Sequence, residues 1–194
     1  MSFKKNKYQV IRQAIPKDLA NFVMNYFLLQ QDAVAYMLKN NIINKHNPLI
    51  GNWEDEQVPN AYAKYADWVM ETLLQYVRPI MKQKTKLDLI PTYSYARIYN
   101  KGNILKKHKD RPSCEISTTL NLGGDHWSIY LEGIKVDLQQ GDMLIYSGCE
   151  LEHWREPFEG NFCVQVFLHY NHANGKFGQE NLFDKRPILG IPKA

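Results

Sequence analysis

Near residue 87 the hydrophobic period of this chain changes, and that change constrains the fold more than any other feature. Before it, apolar residues recur at helical spacing. After Pro16 the stripe is Leu19, Phe22, Val23, Tyr26 and Phe27, continued by Val34, Met37 and Leu38. Asn60 is placed to cap a second helix with the stripe Tyr62, Tyr65, Val69, Leu73 and Val77, which Pro79 kinks or ends. After it the period is two. "TYSYARIYN" puts Tyr93, Tyr95, Arg97 and Tyr99 on one face and Ser94, Ala96 and Ile98 on the other. Six more strand-like runs follow ("CEISTTLNL", "WSIYLEG", "IKVDL", "DMLIYSG", "ELEHWRE" and "FCVQVFLHY"), separated by glycine-bearing turns. Helices followed by many short strands predict an α+β protein whose N-terminal helices pack on one face of a β-sandwich or barrel.

The chain has 194 residues, enough for one domain with a substantial core. The division expected is helical support over about 1–86, a β core over about 87–171, and a polar, Gly- and Pro-rich tail or flap over 172–194. Hydrophobic residues make up 44% and charged residues 23%, which excludes a disordered chain. The net charge of +4 is mild, and the lysines near 4–7, 82–86 and 101–109 read as a solvated face. Cys114, Cys149 and Cys163 show no CxxC spacing and read as reduced thiols of a cytoplasmic protein. The basic start has no apolar stretch behind it, and no run of 18 apolar residues exists, so neither a signal peptide nor a membrane-spanning helix is expected.

The chemistry centres on "KKHKDRP". His108 and Asp110 stand two residues apart at the end of a strand-like run, and His153 arrives on a later one. Two histidines and one carboxylate occupy one face of an octahedral Fe(II) and leave three positions open. Two open positions suit a bidentate 2-oxo acid and the third suits O2. Ligands on different strands explain why they are close in space yet distant in sequence.

The quoted residues resemble the 2-oxoglutarate/Fe(II)-dependent oxygenases, and among them the prolyl-4-hydroxylase-like group. "YNKGNILKKHKD" is similar to that group's Tyr-x-x-Gly segment leading into His-x-Asp. "ISTTLNLGG" resembles the strand that follows, "GDMLIYSG" the Gly-led strand before the distal histidine, and "EHWREPFEG" the distal histidine segment. The resemblance covers roughly residues 90–171. It implies a double-stranded β-helix (a jelly-roll, cupin-like barrel), with Fe(II), 2-oxoglutarate and O2 as requirements. It also implies His108, Asp110 and His153 as metal ligands, Tyr99 as a hydrogen-bond partner of 2-oxoglutarate, and Thr119 beside the cosubstrate carboxylate.

One departure stands out. The group carries an Arg or Lys past the distal histidine to pair with the far carboxylate of 2-oxoglutarate, and here no Arg or Lys lies between Glu156 and Asn171. A buried carboxylate without a cation is costly. Strand alternation puts Arg155 on the same face as His153, so Arg155 is the expected anchor, with Arg97 in reserve and Gln165 as a neutral donor. Arg111 and Trp127 are expected near the mouth, touching the primary substrate.

The function implied is hydroxylation of an unactivated C–H bond, with a peptidyl proline preferred and a free amino acid or other small molecule as the alternative. A nucleic-acid demethylase of the alkylation-repair type would carry two arginines after the distal histidine; only Arg155 is close, so nucleic acid is not expected as a partner. A cupin-like binding module that has lost its chemistry is the non-enzyme alternative, and the intact triad argues against it.

Overall fold

The computed structural model describes residues 2–193. In chain order the elements are α1 (Phe3–Asn6), β1 (Tyr8–Ile11), α2 (Lys17–Lys39), β2 (Tyr62–Tyr65), α3 (Trp68–Thr85), β3 (Leu89–Asn100), β4 (Leu105–His108), β5 (Ile116–Gly124), β6 (Ile129–Leu131), β7 (Ile134–Val136), β8 (Met143–Ser147), β9 (His153–Arg155) and β10 (Phe162–His172). They form two antiparallel sheets, one of six strands in the order β1-β8-β5-β10-β3-β2 and one of four in the order β4-β9-β6-β7.

Alternation divides the large sheet into two faces. Leu120 and Leu122 of β5, Met143 and Ile145 of β8, Val164 and Val166 of β10, and Ala96 and Ile98 of β3 pack with the helices in one cluster. Their neighbours point the other way, toward the small sheet, where Leu144 and Tyr146 pack with Ile129, Leu131 and Val136. The polar inward residues therefore lie between the sheets.

The start and length of the second helix and the course of the chain's end differ from a simple reading of the stripes. The second helix does not begin at Asn60. Residues 62–65 pair with β3 as an edge strand, and Tyr62 is buried between Phe27 and Trp53. Asp67 is the cap instead, its carboxylate accepting from the Val69 and Met70 amides at 2.9 and 3.3 Å. Pro79 does not end α3, which runs on to Thr85 because Leu73, Leu74, Val77 and Met81 are buried against the sheet. The Tyr170 hydroxyl donates to the Leu74 carbonyl at 2.5 Å, one turn before the proline. The segment after β10, expected as a tail or flap, folds back on the body. It passes through a kinked stretch at Gln179–Lys185, and Arg186 lies buried against Glu71 of α3 at 2.6 Å.

Within α2, Ala20, Val23, Phe27 and Val34 are buried. Phe22, expected in the core stripe, is 69% exposed. No helix among the described residues is long and apolar enough to cross a membrane.

Candidate metal centre

β4 and β9 are antiparallel neighbours, and their register sets His108 directly opposite His153. Asp110 follows two residues later, its amide donating to the Gly148 carbonyl at 2.9 Å. Gly148 has to be glycine for space: a Cβ there would collide with Asp110 Oδ2 and the Cys114 carbonyl. This pairing brings both imidazoles to one carboxylate oxygen. His108 Nε2 lies 3.7 Å and His153 Nε2 3.5 Å from Asp110 Oδ1, and the three ligand atoms sit within 4.8 Å of one another.

The donor set fits a divalent metal. His108 Nδ1 donates to the Lys106 carbonyl at 2.8 Å and His153 Nδ1 to the Leu151 carbonyl at 3.0 Å. A carbonyl only accepts, so each ring carries its proton on Nδ1 and turns the Nε2 lone pair toward Asp110. Burial, aided by neighbouring His153, holds His108 below its ordinary pKa and so neutral. Burial would raise Asp110, but its surroundings, His153 first and then His169 and the Ser117 hydroxyl, hold it below the usual carboxylate range.

A layer behind the ligands was not anticipated from the sequence. The Ser117 hydroxyl lies 2.9 Å from Asp110 Oδ2, and His169 Nδ1 lies 2.9 Å from Ser117 Oγ. Burial pulls His169 down to about 4, so it orients Ser117 as a neutral ring. Strand parity carried the signal, because His169 shares the inward face of β10 with Gln165 and Phe167. Asp110 and His169 also approach Cys114 closely enough to make a second possible ligand set, but it shares Asp110 with the first.

The centre opens into a cavity of about 400 Å³ whose lining includes Tyr65, Tyr93, Tyr95, Tyr99, Arg97 and Arg111. The two arginines weighed for the carboxylate differ in their partners. Arg97 is bound to Asp55 and also reaches Gln57 and Tyr99 at 3.3 Å, so its charge is matched. Arg155 is 1% exposed and pairs with no carboxylate among the described residues. Its Nη1 donates to the Trp127 carbonyl at 2.5 Å, its Nη2 reaches Thr119 Oγ1 at 3.4 Å, and its Nε has no partner. Thr119 in turn donates to Gln165 Oε1 at 3.0 Å. Arg155, Thr119 and Gln165 thus form one buried patch against Trp127, and none of the three is among the residues that line the cavity.

Arg111 and Trp127 take different places. Arg111 lines the cavity, but its guanidinium forks onto the buried Asp184 carboxylate at 2.9 and 2.7 Å and stacks on Tyr93. Trp127 is not at the mouth. It is 8% exposed, packed between Tyr99 and Phe158, with Nε1 donating to the Glu156 carbonyl at 2.9 Å and Arg155 against its ring. A ring that covers a buried guanidinium and has its own N–H satisfied belongs to the wall.

No family model matches the chain, and no curated protein matches it by sequence. Its fold does match solved structures. A prolyl-4-hydroxylase of Pseudomonas putida superposes with a TM-score of 0.59 at 14% identity, over 88% of this chain and 95% of that one. HygX from Streptomyces hygroscopicus, with nickel and 2-oxoglutarate bound, gives 0.59 at 10% identity over 89% and 85%. SnoN, a non-heme α-ketoglutarate-dependent epimerase from nogalamycin biosynthesis, gives 0.66 at 10% identity over 99% and 92%. At these identities the likeness establishes a shared fold, that of the 2-oxoglutarate/Fe(II) oxygenases.

Proposed function

We propose that the protein is an Fe(II)- and 2-oxoglutarate-dependent oxygenase that hydroxylates an unactivated C–H bond of a peptidyl proline. In the balanced reaction the substrate C–H, O2 and 2-oxoglutarate give the alcohol, succinate and CO2. The observation that carries this reading is the pairing of a two-histidine, one-carboxylate cluster with a buried arginine that has no anionic partner. His108, Asp110 and His153 would hold the metal, which supplies the activation of O2. Arg155, helped by Thr119 and Gln165, would bind the far carboxylate of 2-oxoglutarate, and the Tyr99 hydroxyl would donate to the same molecule. Trp127 and Phe158 keep water from that patch. The two sheets are read as the walls of a double-stranded β-helix, and the three unpaired cysteines fit a cytoplasmic setting.

A peptide is favoured by the shape of the surface beyond the metal. The metal cavity shares Tyr65 and Tyr95 with a second hollow that reaches Pro192 and Lys193, and Tyr65 with a third that reaches Trp68 and Pro192. The concave surface therefore continues away from the cluster, and aromatic faces line it, as grooves for extended Pro-rich segments require. Arg111, its charge spent on Asp184, would form the rim by its stacked face with Tyr93 rather than by a charged contact. The test loads Fe(II) and 2-oxoglutarate without O2, admits O2, and measures succinate together with a mass gain of one oxygen on proline-bearing peptides. Absence of succinate with every substrate would sink the oxygenase reading. Succinate formed only with free amino acids or other small molecules would move the substrate.

A further inference from the structure

The outer face of α2 carries two rows of side chains that the fold leaves without partners. One row is Phe22, Leu29 and Tyr36, seven residues apart and 69, 69 and 64% exposed. The other is Asp18, Asn25, Asp32 and Lys39, also spaced by sevens and exposed. None of these four makes a side-chain hydrogen bond or ion pair among the described residues. Large apolar side chains held that far out of the core, in register along one helix, are an unsatisfied packing surface.

The first row is centred on Leu29, and the second carries an acid at its N-terminal end and a lysine at its C-terminal end. If a second α2 lies antiparallel across the first with the two-fold axis at Leu29, Leu29 meets the partner's Leu29 and Phe22 meets the partner's Tyr36. Asn25 then comes within one residue of standing opposite the partner's Asp32, and Asp18 within one residue of the partner's Lys39, an offset of about 1.5 Å. A two-fold interface needs this self-complementarity, and an unrelated partner does not. The hollow beside Phe22 and Leu29, walled by Asn21, Asn25 and Tyr26, lies where that symmetry brings the partner's Tyr36. The acidic residue of the first turn also comes to the last turn of the other helix, where Lys39 stands, so both helix dipoles are matched.

We propose that the chain forms a two-fold dimer through the antiparallel packing of α2 on its copy. A helix of 23 residues is about 35 Å long, so the contact falls at the low end of specific interfaces, and the dimer is reversible and concentration-dependent. The surface lies on the helical side of the large sheet, away from the metal cluster. The proposal therefore stands or falls independently of the catalytic reading.

Sedimentation velocity over a dilution series into the high-micromolar range tests it, with circular dichroism confirming that each exposed-site variant keeps its fold. The wild type is expected to move toward twice the 22.7 kDa chain mass as concentration rises. Leu29→Glu, which sets like charges face to face on the axis, is expected to stay monomeric. Asp18→Lys and Lys39→Asp are each expected to weaken association, and the double swap to restore it. A wild type that stays monomeric throughout would overturn the proposal. So would a dimer that survives Leu29→Glu, or a charge swap that fails to recover association.

Discussion

Replacing Arg155 by Met should act in opposite directions on the unliganded protein and on its complex with 2-oxoglutarate. Methionine keeps most of the stem that packs under Trp127 and removes the guanidinium. Without cosubstrate, Arg155 is a desolvated cation with one good hydrogen bond, one long one and an unsatisfied Nε. Replacing such a charge by an apolar side chain of similar volume is commonly neutral or stabilising. The Met variant is therefore expected to melt no lower than the wild type. With cosubstrate the fork would pair with a carboxylate, and truncating one partner of a buried, hydrogen-bonded charge pair costs about 2–5 kcal/mol. Taking about 3 kcal/mol, affinity for 2-oxoglutarate should fall on the order of a hundredfold. A concentration that stabilises the wild type by about 2.7 kcal/mol, at a hundred times Kd, should then shift the variant barely at all. The assay is a thermal melt with and without 2-oxoglutarate, metal present and O2 excluded, beside a separate metal titration. An unchanged cosubstrate affinity would refute the assignment. Joint loss of metal and cosubstrate binding would show that Arg155 acts by holding β9 together.

His153→Ala should lower metal stoichiometry and abolish 2-oxoglutarate turnover; a variant that still binds one equivalent of metal and turns over normally would remove His153 from the cluster. Tyr99→Phe should weaken 2-oxoglutarate binding by one hydrogen bond to a charged group, about 1.5–3 kcal/mol, with the fold kept; an unaltered titration would take Tyr99 out of the site. Trp127→Ala should cost about 3–5 kcal/mol of stability in a urea titration, because it opens a cavity between Tyr99, Phe158 and Arg155. A variant of wild-type stability with only a raised substrate KM would return Trp127 to the mouth.

What the sequence made legible follows from where the physics is local. The inward face of β3 (Tyr93, Tyr95, Arg97 and Tyr99) could be read because alternation is a property of the strand itself. The same parity points inward with His169 and Ser117. They went unread because a buried serine and histidine resemble ordinary core polar residues until Asp110 is known to lie 2.9 Å from Ser117 Oγ. β1 and β2 are four-residue strands held by pairing at the two edges of the large sheet and by packing of Tyr8 and Tyr62, so tertiary contact alone decides them. Phe22 was misplaced because apolar residues at helical spacing indicate a helix face without saying whether that face meets the sheet. Trp127 follows a Gly-Gly turn, which reads as rim, but the guanidinium beneath it draws the ring inward.

The departure from the oxygenase pattern has a structural consequence at β9. In that pattern the cation for the cosubstrate follows the distal histidine at a longer spacing. Here His153 and Arg155 stand at the two ends of one three-residue strand, both pointing inward. Two residues of extended chain span about 7 Å, which fixes the distance between the metal ligand and the proposed carboxylate anchor. The pairing of His108 with His153 and of Leu105 with Arg155 sets both at once. A slip of one residue would turn both side chains to the outer face and bring Trp154 in. The bend between Asn100 and Leu105, where the Gly102 amide donates to the Phe158 carbonyl at 2.7 Å, is therefore more than a connection. By tying the start of β4 to the segment after β9, it holds the register on which metal and cosubstrate binding would together depend.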